Sequence, residues 1–157
     1  MKLKYTKFQV ALEIVGLLLM IGLIVFVCIR WNQLPGQIPG HYNVMGEVDR
    51  WGSKSEIIVL PIMSALLYTF LTVMCFLPQA WGVPVKITDL NREAVYSCTR
   101  SLLIFIKIEI LGIFFYLTYY MATALSLPAY FIPVILLVLI GTAIYFVIGI
   151  CQIGKKV

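Results

Sequence analysis

The chain has 157 residues, room for one domain, and 62% of them are hydrophobic against 12% charged. A water-soluble fold has no way to hide that much apolar surface, so this composition and a mean hydropathy of +1.00 point to lipid as the solvent. The formal charge of +5 comes from basic residues that never form a dense run, which argues against nucleic acid as a partner.

Four segments approach the roughly 20 helical residues that a hydrocarbon core of about 30 Å requires. The first, 10–29, carries only Glu13, is too long for a signal peptide and is followed by no small-residue cleavage site, so it is expected to remain as an anchor. The second, 57–77, and the fourth, 128–150, carry no charge, and the third, 102–120, carries Lys107 and Glu109. Pro61 and Pro133 fall within first turns, where a missing amide hydrogen does least harm. The expectation is an all-α integral membrane protein: a four-helix transmembrane bundle forming a single membrane domain over 1–157, with an ordered extracellular loop at 30–56 and a cytoplasmic connection at 78–100.

Basic residues set the orientation. Lys2, Lys4, Lys7, Lys86, Arg92, Arg100, Lys155 and Lys156 fall on one side, against Arg30, Arg50 and Lys54 on the other, which predicts a multi-pass cell-membrane protein with both termini cytoplasmic. Trp31, Tyr119, Tyr120 and Tyr130 then lie at the outer interface and Trp81 at the inner one, as an aromatic belt requires. Cys28, Cys75, Cys98 and Cys151 lack metal-ligand spacing and read as apolar fillers.

The outer loop holds the richest chemistry. Pro35 and Pro39 impose extended or turn geometry, Gly36, Gly40, Gly46 and Gly52 permit sharp turns, and the sole histidine, His41, lies among polar groups. Trp31, Tyr42, Val44, Met45 and Trp51 are the expected apolar anchors that order it. His41, Asn43, Glu47 and Asp49 offer one nitrogen and several oxygens, but their spacing matches no established metal loop, and no metal or other cofactor is predicted. Three readings stay open: local hydrogen bonding, a ligand or partner surface, and metal or catalysis.

Ile38-Pro39-Gly40-His41-Tyr42-Asn43, followed by Gly46, Asp49, Trp51, Gly52 and Lys54, resembles the uncharacterised bacterial membrane domain found at the N-terminus of SdpI-type proteins. That group includes immunity proteins against the sporulation-delaying toxin. The resemblance covers roughly the first half of the chain and implies a multi-spanning protein of Gram-positive bacteria with Pro39, His41, Asn43, Gly46, Asp49, Trp51 and Lys54 as its loop signature. Gly40 stands where a Thr or similar residue is expected. Downstream, Asn91, Arg92, Glu93, Tyr96 and Arg100 resemble the family's entry to the third helix.

That third helix is expected to begin in water at Leu90, capped by Thr88 or Asp89. Glu93, Tyr96, Arg100 and Lys107 then share one face pointing into the bundle, as a charge seam, a lipid contact or half of a cleft. Counting about 1.5 Å per residue puts Glu13 and Lys107 at similar depth, where they can pair across helices, or Lys107 can snorkel instead. Glu109 lies deeper and on the opposite side from Lys107. No nucleophile elbow, zinc-protease motif or phosphate loop is present, so the leading reading is non-enzymatic: an outer loop recognising a peptide, a lipid or a membrane-protein partner beside the lipid bilayer. The alternative is a small transporter or ion-coupled carrier built on Glu13, Lys107 and Glu109.

Overall fold

The computed structural model describes residues 4–155; Lys2 and Lys156, both counted in the charge bias, lie outside the described residues. Four helices dominate: α1 (Lys7–Arg30), α2 (Val59–Cys75), α3 (Arg92–Thr123) and α4 (Phe131–Lys155). Each belongs to a helical segment long and apolar enough to cross a membrane, and together they make this a multi-pass membrane protein. They run alternately up and down, so the hairpin described below and the α3–α4 turn share one end, while 4–6 and the α2–α3 connection share the other.

The helices begin where local chemistry satisfies their orphan amides. α1 is opened by a capping box in which Gln9 N donates to Thr6 Oγ1 and Thr6 N donates to Gln9 Oε1, each at 3.1 Å. α3 starts at Arg92, two residues later than expected, and Leu90 stays outside it. The reason is Asn91, whose side chain is spent on the turn before the helix: Oδ1 accepts from Thr88 N at 2.9 Å and Nδ2 donates to Lys86 O at 3.0 Å.

α3 is the central post, with α1, α2 and α4 each packed along it. Its buried side chains Ile104, Leu111, Thr118 and Met121 face inward, whereas α4 buries only Ile150 fully and leaves one side of its length exposed. α4 is thus a peripheral helix leaning on a three-helix core.

The 30–56 segment is ordered, but the all-α expectation is corrected there: it forms an antiparallel hairpin of β1 (Gln37–Tyr42) and β2 (Val48–Ser53). Pro39 is tolerated because a two-stranded sheet consists only of edges. Two bulges offset one another, Gly40 being the extra residue on β1 and Asp49 the extra residue on β2. The expected anchors are also corrected. Trp51 is 50% exposed, and Val44 and Met45 are more exposed still. Burial instead falls to Leu34, Ile38 and Ile57, which join Val27 and Met121 in a small core at the hairpin end, with Trp31 and Tyr42 packed at its margin. Trp51 points away because it alternates along β2 with Gly52, which pairs with Ile38 on the inward face, and Val44 lies in the turn outside the ladder.

Candidate functional site

The hairpin turn is built by Asn43. Its Oδ1 accepts from Met45 N at 2.9 Å and Glu47 N at 3.0 Å, its Nδ2 donates to Glu47 Oε2 at 2.9 Å, and the next glycine, Gly46, takes a φ of +84°. Gly46 also docks the turn on the bundle: its carbonyl accepts from Leu127 N at 2.8 Å, and a Cβ there would collide with the Leu127 carbonyl. Tyr42 Oη donates to Leu125 O at 3.2 Å, a second tie to the same α3–α4 turn. Burial, and then the neighbouring Tyr120, push the Tyr42 phenol up to about 12.

Two polar pairs stand on the hairpin. His41 Nδ1 lies 2.7 Å from Asp49 Oδ1, a pair created by the bulge that turns Asp49 out of the ladder. Arg50 Nη2 donates to Gly40 O at 2.7 Å and to Glu56 Oε2 at 2.9 Å, and the hydrogen bond to Glu56 raises the guanidinium above its ordinary value. A Cβ at Gly40 would lie 2.8 Å from the Arg50 guanidinium, which would have to shift to admit one. Glu56 in turn accepts from Ser53 N at 3.2 Å and occupies the space beside Gly52. Lys54 sits over the Trp31 ring, 4.9 Å from its centroid, and Pro39, within β1, is fully buried.

Beneath these pairs lies a cleft of about 450 Å³. Its rim is polar, formed by His41, Asn43, Arg50 and Glu56, and its wall is apolar, formed by Leu60 of α2, Leu117 and Met121 of α3, and Phe131 of α4. α2 and α4 both rest on α3 without packing on each other to any extent, and this spacing opens the cleft.

Residues 17–65 match a family described as a domain of unknown function, DUF1648. The matched segment runs from within α1, through the whole hairpin, to the first turns of α2, so it contains the rim of the cleft but not its α3 and α4 wall. No curated protein and no solved structure matches the chain.

Away from the matched hairpin, the structure brings Glu13 and Lys107 together. Lys107 is 0% exposed; its Nζ donates to Glu13 Oε2 at 2.5 Å and Thr72 Oγ1 at 3.0 Å, and it lies 4.7 Å from the Tyr68 ring centroid. Snorkelling is therefore not what Lys107 does: one ammonium joins α1, α2 and α3. Glu109 points the other way, toward α4, where its Oε1 accepts from Thr142 Oγ1 at 2.5 Å.

The stripe on α3 is not a continuous seam. Arg100 is buried, donates Nε to Cys75 O and Nη1 to Lys4 O at 3.2 Å each, and covers the Tyr5 ring at 4.4 Å. Tyr96 packs edge-on against Trp81, Glu93 is exposed, and Arg92 pairs with Asp89 at 2.9 Å on the surface. Asn91 and Arg100 hold the fold at this end, and the stripe therefore divides into a buried half and a solvated half. Sequence reasoning missed Glu56, Thr72, Thr142 and Gln9. Two of these had a readable signal, since Thr6-x-x-Gln9 and Ser53-x-x-Glu56 are capping-box spacings. Thr72 and Thr142 had none, because a hydroxyl inside an apolar run satisfies its own helix as often as a neighbour.

Proposed function

We propose that this chain is a non-enzymatic membrane protein that recognises an amphipathic membrane-borne partner, a peptide or a lipid, in the cleft under its hairpin. The observation carrying this reading is the division of the cleft into a polar rim and an apolar wall in one cavity of about 450 Å³, which suits a ligand with a polar end at the interface and an apolar end between helices. The resemblance of the loop to SdpI-type proteins supplies the role: protection against a membrane-active peptide, with His41, held by Asp49, and Arg50 as the contacts that distinguish it. A photo-reactive amino acid at Leu117, inside the cleft, should capture a discrete peptide or lipid from native membranes. Capture no different from that at Leu137, on the lipid-facing side of α4, counts against the cleft. Protection of a toxin-sensitive Gram-positive host should be lost with His41→Ala and retained with Glu109→Gln.

The carrier reading draws on a different observation: Glu13 Oε1 and Glu109 Oε2 are both buried without a hydrogen-bond partner. It predicts the reverse pattern, with function lost in Glu109→Gln and kept in His41→Ala.

A further inference from the structure

Glu109 lies roughly midway along the 32-residue α3 and is the one described membrane acid with no basic partner. Thr142 satisfies one oxygen, while Oε2 is buried without a hydrogen-bond partner, an arrangement costly at hydrocarbon depth unless a proton or a cation answers it. Beside it, between α3 and α4, is a separate cavity of about 310 Å³. Glu109 and Gly112 line one part, and Tyr116, Tyr130 and Phe131 close the hairpin-end part, with Tyr116 stacked on Phe131 at a centroid distance of 4.8 Å. Gly112 keeps the space open, since a Cβ there would meet nothing within 4 Å.

We infer that this α3–α4 cavity binds a lipid-soluble organic cation, with Glu109 as its counter-ion and the aromatic rings as its walls. The chemistry selects that class. A lipid tail fills apolar space but leaves the carboxylate unanswered, and a bare metal ion needs several oxygen or nitrogen ligands, whereas no group of three His, Cys, Asp or Glu gathers among the described residues. An apolar body bearing a fixed positive charge meets both the cavity and the carboxylate, and aromatic faces favour such charges further. Entry is from the bilayer, because α4 packs chiefly on α3 and carries an apolar outer surface. The inference is independent of the hairpin cleft.

Tetraphenylphosphonium is the probe, with the full chain reconstituted in lipid nanodiscs and binding read by equilibrium dialysis against empty nanodiscs. The wild type should show a saturable component. Glu109→Gln, which keeps shape and removes the charge, should weaken it at least about tenfold, and Gly112→Leu, which fills the cavity and leaves Glu109 in place, should do the same. Both variants are compared only as monodisperse protein with wild-type helix content. Wild-type uptake that never saturates overturns the site, as does saturable binding that either folded variant leaves at the wild-type constant.

Discussion

The Lys107 ammonium shows how far one residue can determine a membrane fold. It contacts a carboxylate from α1, a hydroxyl from α2 and a ring from α2, all from α3. Removing one member of such a buried pair strands the other, at a cost of about 3 to 5 kcal/mol. Lys107→Met should therefore destabilise strongly, and Glu13→Gln added to it should restore part of the loss; the check is a double-mutant cycle of unfolding in mixed micelles. An additive cycle would mean that the pair is not coupled. Tyr42 gives a second expectation at this scale. Its phenol titrates near 10 in an unfolded chain and at about 12 in place, so the folded state keeps a proton that the unfolded state releases. The stability this contributes is whole below pH 10 and drains away as pH rises from about 10 to 12. Thermal unfolding across that window should fall more steeply for the wild type than for Tyr42→Phe. The sequence made Glu13 and Lys107 legible as a pair because depth along a helix can be counted. It did not show the hydrogen bonds of Tyr42 and Arg50, because their partners, Leu125 O and Gly40 O, are backbone atoms fixed only by the finished fold.

At the scale of elements, the hairpin is held by what lies beneath it and not by its conspicuous tryptophan. Ile38 is fully buried in the small core with Leu34 and Ile57, while half of Trp51 faces outward. Ile38→Ala should thus cost about 2 to 5 kcal/mol and expose the hairpin amides to hydrogen exchange. Trp51→Ala should leave both the folded yield and that exchange close to wild type. Equal protection loss in the two variants would put the anchor elsewhere. Composition and glycine placement announced an ordered loop. They did not announce strands, because Val48-Asp49-Arg50-Trp51-Gly52-Ser53 has no clean alternation and the two bulges break the period that strand recognition relies on. The four spanning helices were legible for the opposite reason: a long apolar run has one solution in lipid. Their ends shifted by a few residues wherever a side chain, such as that of Asn91, satisfied a local turn.

For the whole molecule, the alternating helices place the hairpin and the α2–α3 connection at opposite ends, and the basic-residue bias predicts which end faces out. On a cysteine-free background, membrane-impermeant maleimide applied to intact cells should label Gln37→Cys and Ser53→Cys but not Leu90→Cys. Leu90 is the suitable inner reporter because it is 85% exposed, whereas Asn91 is buried and would stay silent for the wrong reason. Labelling at Leu90 with silence at the hairpin would invert the topology. The central position of α3 was not legible in any run of residues, since which helices touch depends on side chains from three segments meeting at Glu13, Thr72 and Lys107.

The Glu13–Lys107 pair spans 94 positions of sequence, and synthesis takes time. At about 5 to 20 residues per second, α1 stands with its carboxylate unanswered for roughly 5 to 20 s before Lys107 is made. A nascent chain that stalls before the third helix emerges displays an unmatched polar group inside the membrane, and a chain that continues past it conceals that group, so the same contact that fastens the finished helices also marks the moment at which the protein stops looking incomplete.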